Sequence, residues 1–258
     1  KEFMEKLKKD KKESILAAKD KFKAIFAKDK VNADIGFRIF REFYYKVINN
    51  CNEGFSNNKK YQELLNEIQK PFEKIKKQPV WTIFGEKEIN IYIIDDPLGM
   101  FDKIDTAETK KIRLEKVGVL SELYEYRKCG MNIYCSEGDW YLKGDNTFLS
   151  NEVLARFDNK IKDYMVFLSK EEKERVADDA ALMISWDELR KRIIRWEEFA
   201  NKHPELEETE KEVKLELKIL IKIYTCGMPN TDIYNYSTKT LLDDLKMSYE
   251  NFLKENSN

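Results

Sequence analysis

Residues 185–204, SWDELRKRIIRWEEFANKHP, decide the fold class of this chain. Ser185 followed three residues later by Glu188 has the spacing of a capping box, in which each side chain satisfies the other's free backbone N–H. Trp186, Leu189, Ile193, Trp196 and Phe199 then recur at intervals of three and four, which places them on one helical stripe, while Arg190, Lys191, Arg195 and Glu198 fall elsewhere. A stripe of that size must be buried against another element. Helical spacing accounts for both tryptophans as core anchors and leaves no need for a ligand-stacking role.

Working outward, the same periodicity fills most of the sequence. Toward the C-terminus, residues 149–157 read as helix, Ser169 and Glu172 form a second capping-box pair opening a segment through Met183, and Val213, Leu217, Leu220, Ile221 and Tyr224 mark a helix closing at Cys226 and Gly227. Leu241, Leu245, Tyr249, Phe252 and Leu253 mark a terminal one. Toward the N-terminus, Phe3, Leu7, Ile15, Phe22 and Phe26 predict a lysine-rich helix over 2–29. Ile35, Ile39, Phe43, Val47 and Ile48 predict a second ending near Gly54, and Tyr61, Leu64, Leu65, Ile68, Phe72 and Ile75 a third, kinked or restarted at Pro71. Between these blocks, residues 80–84 and 89–94 are β-branched and aromatic runs separated by Gly85, Glu86, Lys87 and Glu88, the pattern of a β-hairpin. After a helix ending near Lys128, residues 132–135 and 140–142 suggest a second strand pair around the polar turn 136–139. The expected architecture is mainly α, a multi-helical bundle with a small mid-chain antiparallel β insertion. It divides into a helical region 1–78, a small α+β region 79–145 and a helical region 146–258.

Composition narrows the functional classes. Lys and Arg number 47 against 48 for Asp and Glu, so there is no overall basic field for nucleic acid. Charged residues make up 37%, as expected of helices with solvated outer faces, and 9 glycines with 5 prolines are too few to turn an all-β fold. No run is apolar enough to span a bilayer, and the first residues are charged where a signal peptide is apolar. The chain starts at Lys1, so an exported protein with a trimmed leader is one expectation, periplasmic or lipoprotein-anchored, and a cytoplasmic one is the alternative. No glycine-rich phosphate loop occurs, and the four cysteines, Cys51, Cys129, Cys135 and Cys226, with the single His203, match no zinc pattern. No metal or cofactor is expected. His203 stands at a helix end before Pro204, where a cation complements the helix dipole. Whether Cys129 and Cys135 bridge depends on a Cα separation that the sequence leaves open.

The runs EGDWYLKGD at 137–145, DDAALMISWDELRKRIIRWEEFANKHPEL at 178–206, and CGMPNTDIYNY and SYENFLKEN near the C-terminus resemble an uncharacterised bacterial family of mostly helical, often exported or lipoprotein-like proteins. The resemblance covers roughly residues 119–256. It implies a helical fold and export, and it carries over no catalytic residue.

The candidate ligand-binding residues are Glu137, Asp139, Trp140 and Tyr141 in the mid-chain turn and Asn230 and Asp232 in the polar loop after Gly227 and Pro229. Two carboxylates roughly 5 to 9.5 Å apart suffice for glycoside hydrolysis, so Glu137 with Asp139 is the one enzyme signal, although a polar turn has the same composition. Asp178 and Asp179, read as helix neighbours, point about 100° apart and do not chelate as a pair. No catalytic residue is assigned. The leading expectation is a non-enzymatic helical protein that binds a protein or envelope component through a groove between its helical halves. A carboxylate-dependent glycan hydrolase and an immunity- or inhibitor-type protein are the alternatives.

Overall fold

A computed structural model describes residues 1–27, 32–70, 78–82, 85–89, 97–136, 138–157 and 160–255. Among them the fold is mainly α, with twelve α-helices and four two-stranded antiparallel sheets. In chain order these are α1 (Glu2–Glu5), α2 (Glu13–Phe26), α3 (Ala33–Ser56) and α4 (Lys59–Gln69), then β1 (Gln78–Thr82) and β2 (Gly85–Ile89). Next come α5 (Pro97–Lys103), α6 (Ala107–Glu115), α7 (Val117–Lys128), β3 (Met131–Ser136), β4 (Asp139–Gly144) and α8 (Asn146–Phe148), followed by a π-helical turn at Leu149–Val153 and α9 (Lys160–Glu171). The rest is β5 (Ala177–Asp178), β6 (Ala181–Leu182), α10 (Trp186–Lys202), a π-helical turn at Thr209–Val213, α11 (Lys214–Cys226), β7 (Tyr234–Asn235), β8 (Thr240–Leu241) and α12 (Asp243–Glu255). Two compact units result, Lys1–Lys76 with Tyr92–Lys170 and Lys77–Ile91 with Glu171–Asn258. The expected middle region 79–145 is shared between them.

The first unit is organised by α3, whose Phe37, Phe40, Tyr44, Val47, Ile48, Cys51 and Phe55 are buried at three- and four-residue spacing. Phe22 of α2 enters the same core, with ring centroids 5.9 Å from Phe40 and 5.4 Å from Phe157. The inward face of the β3–β4 hairpin, Met131, Ile133, Trp140 and Leu142, packs on α3. A two-stranded hairpin is marginal alone and exposes an edge. Two amide side chains cover that edge. Asn52 donates to Leu142 O (3.0 Å) and accepts from Leu142 N (2.8 Å), and Gln62 does the same with Trp140 O (3.1 Å) and N (2.9 Å). Each amide mimics a neighbouring strand's peptide group. Where α7 turns into β3, Gly130 adopts φ +79°, and a Cβ there would lie 2.3 Å from the Phe148 ring, so only glycine fits.

In the second unit, α10 packs on α11 and α12 and buries Trp186, Leu189, Ile193, Trp196 and Phe199, the stripe its periodicity predicts. Two arginines are buried as well. Arg190, expected off the stripe, is 3% exposed, with Nε 3.0 Å from Asp187 and a second bond to Glu255 of α12. Arg192 and Arg195 converge on the buried Glu171, at 3.2 and 2.9 Å, and the Trp196 indole donates to the same carboxylate at 3.1 Å.

Several expectations need correction. The predicted N-terminal helix is two, α1 and α2. Helix α3 continues through Gly54 to a C-cap at Asn57, and Ile35 is 58% exposed, because Phe37 and Phe40 carry the buried stripe at that end. Residues 85–88 belong to strand β2, with Thr82 opposite Gly85, rather than to a turn. Pro71, Phe72, Ile75 and the run 90–94 lie outside the described residues. Ser169 does not cap a helix start: it sits inside α9 and donates to the Val166 carbonyl (2.9 Å), as a serine within a helix can. Residues 177–182 form the β5–β6 hairpin instead of helix, since Asp179 and Ala180 take φ of 45° and 55°, which no helix accommodates. Asp178, on a strand, pairs with Arg175 at 2.7 Å. Of the Ser185 capping box only one half forms. Ser185 accepts from Glu188 N (3.1 Å), while the Glu188 carboxylate turns to Arg195 (3.0 Å). Residues 149–153 wind as a π-helical turn.

Two substitutions test these anchors. Gln62→Leu strands the Trp140 N–H and C=O at the hairpin edge and should lower the unfolding free energy by about 2 kcal/mol in urea titration. Glu171→Ala leaves two arginines around an emptied buried position and should cost about 3 kcal/mol, read as a lower thermal midpoint, with Glu171→Gln intermediate.

Candidate functional site

Helices α5, α6 and α7 of the first unit enclose a groove of about 660 Å³. Its walls are set locally. Thr106 and Thr109 form a reciprocal capping box, Thr109 N to Thr106 Oγ1 at 3.2 Å and Thr106 N to Thr109 Oγ1 at 3.0 Å, which fixes the start of α6. Lys116 then ends α6 and begins α7 with φ −116°, bending the chain so that both helices line the groove. The floor is apolar, with Phe101 and Leu120 buried beneath Val117, which is 60% exposed. Leu114, near the end of α6 on the other side of the Lys116 bend, is 80% exposed and does not line the groove.

The polar groups around this floor satisfy one another. Arg113 lies with its guanidinium 4.8 Å from the Phe101 ring centre and donates to the carbonyls of Phe101 (2.8 Å) and Ile104 (2.9 Å). Asp102 accepts from the Tyr124 hydroxyl and lies 3.4 Å from Arg127, and Lys128 pairs with Glu125 at 2.5 Å. Burial, with the adjacent Asp102 carboxylate second, raises the Tyr124 hydroxyl well above its ordinary range, so it stays a hydrogen-bond donor at neutral pH. The groove therefore offers apolar surface edged by charges that need no external partner.

The residues picked out from sequence fall elsewhere. Glu137 lies outside the described residues. Trp140, expected to bind a ligand, is fully buried, and its indole donates to Asn66 at 2.7 Å, so it is a core anchor. The pleat explains this: Trp140 and Leu142 point inward, while Asp139 and Tyr141 lie on the other face, Asp139 exposed and Tyr141 5.7 Å from Tyr134. Asn230, in the second unit, is a clamp. Its Nδ2 donates to Asp179 O (2.6 Å) and its backbone N to Ala180 O (3.0 Å), while the neighbouring Thr231 Oγ1 accepts from Leu182 N (2.8 Å). Asp232, beside it, is half-exposed. The 137–141 cluster and the 230–232 loop thus belong to different units. His203 is the C-cap of α10, its ring buried 4.7 Å from Phe199. Among the described residues no group of three His, Cys, Asp or Glu is placed to hold a metal ion.

Sequence reasoning passed over the groove because its floor residues are spread over three helices. The available signal was Val117, an apolar side chain directly after the charged run 108–116. No protein-family model, curated protein or solved structure matches the chain.

The cysteines are all free, with Cys51, Cys129 and Cys135 buried and Cys226 exposed, so Cys129 and Cys135 are not bridged. Burial pushes the Cys129 thiol up to about 11 and raises that of Cys51. At pH 8 both remain un-ionised and shielded. Iodoacetamide should modify Cys226 alone in the native protein and the other three only after denaturation, as peptide mass spectrometry would show.

Proposed function

We propose that this chain is a non-enzymatic binding protein that receives an apolar segment of a partner protein in the α5–α7 groove. The observation that carries this reading is the exposure of Val117 above the apolar floor of Phe101 and Leu120, within a rim whose charges are already paired. Covering that surface releases water from apolar side chains, while the paired rim leaves few lone charges to be desolvated without compensation. Exposed apolar patches edged by polar groups commonly mark such contacts.

A photo-crosslinking amino acid at Val117 should trap one discrete partner in the source cell, and the same probe at Tyr236, exposed in the second unit, should not. Val117→Asp should weaken the isolated complex by about tenfold or more, the scale of losing one buried apolar side chain. The variant's thermal midpoint should stay close to the parent's, as for most surface changes. Equal trapping at both positions, or unchanged affinity of Val117→Asp, would overturn the reading.

A further inference from the structure

Helix α11 turns Leu220 and Tyr224 inward, and Val213, in the π-helical turn before it, is buried too. On its outer side run Leu215, Ile219, Lys222 and Cys226, and Glu212 in the π-helical turn before it extends the row, at steps of three, four, three and four. Leu215 and Ile219 in the middle of this row are 58% and 44% exposed, and Lys222 and Cys226 are exposed at its C-terminal end. Glu212, at the N-terminal end, is half-exposed and already interacts within its own chain, so its carboxylate would be shared with a second copy. The lysines of this helix divide in the same sense. Lys211 and Lys214 are paired with Glu207 and Glu210, whereas among the described residues Lys218 and Lys222 reach no carboxylate.

This row is its own complement when reversed. An antiparallel copy turned about a point midway between Leu215 and Ile219 sets Leu215 against Ile219 and Ile219 against Leu215. It also sets Glu212 against Lys222 and Lys222 against Glu212. A twofold contact requires that residue i meet j while j meets i, and the spacing satisfies this for every member from 212 to 222. The steps of three and four match the seam of paired helices, and the antiparallel arrangement opposes the two helix dipoles favourably. A foreign helix would need an apolar pair, an acid and a cation in the same order; a second copy brings all of them.

We propose that the outer row of α11 is a homotypic contact through which two copies of this chain pair antiparallel. This does not rest on the α5–α7 groove, which lies in the other unit. With two apolar residues per copy in the middle of the row, the contact is small and the association weak and concentration-dependent.

Sedimentation equilibrium on the full chain at concentrations up to about a millimolar, the range in which contacts this small assemble, should show a monomer–dimer equilibrium. Ile219→Asp should abolish it. Lys222→Glu should raise the dissociation constant about tenfold, since it turns two symmetry-related attractions into repulsions, and Glu212→Lys combined with Lys222→Glu should restore pairing. Recovery in the double variant assigns the loss to the charge pair, and an unchanged thermal midpoint of each single variant shows that it is folded. A monomer at every concentration, including one that binds an acidic helical peptide instead, overturns the proposal. So does a dimer that Ile219→Asp leaves intact, or a charge swap that fails to rescue.

Discussion

The second unit depends on one buried carboxylate. Glu171 is 8% exposed and serves Arg195, Arg192 and the Trp196 indole together, so α10 presents a cationic patch inside the unit as well as an apolar stripe outside its polar face. A buried charge is tolerated only when its partners are fixed and its hydrogen bonds are filled. Here the partners come from successive turns of one helix, which fixes their spacing. Any rotation of α10 about its axis that moved Trp196 from the core would also leave the acid unpaired, so apolar packing and ion pairing select the same orientation.

The first unit solves a different problem with neutral groups. Its hairpin has two strands, and one edge would leave backbone groups open to water or to another chain. Asn52 and Gln62 meet Leu142 and Trp140, alternate residues of β4, because alternate peptide groups on a strand point to the same side. The Trp140 ring is thereby held into the core from both its backbone and its indole N–H. The same alternation leaves Tyr141 and Asp139 facing away.

These two devices explain what could be read from the sequence and what could not. The stripe of α10, the buried positions of α4 and the stop of α11 at Gly227 were legible, because spacing within one turn determines which side of a helix is apolar. The β5–β6 hairpin was not: DDAALM carries no glycine, and the positive φ at Asp179 and Ala180 is held by Asn230, some 51 residues away in the chain. For the candidate site, the 137–141 cluster stands out in the sequence by its composition alone, which a strand and its turn share with many binding loops. The groove was missed because Phe101, Val117 and Leu120 become neighbours only when three helices fold together.

What the sequence determined by itself is therefore local: that the chain is mainly helical, where several helices begin and end, and that Trp186 and Trp196 are core residues. The tertiary structure decided the rest. It buried Arg190 and Arg192 among acids, turned Trp140 inward and left Leu114 and Val117 at the surface. The physical reason is separation along the chain. A cap or an apolar stripe is completed by residues three or four positions apart, whereas Gln62 finds Trp140 across 78 residues and Arg190 finds Glu255 across 65, and only the folded backbone brings such groups within hydrogen-bonding distance.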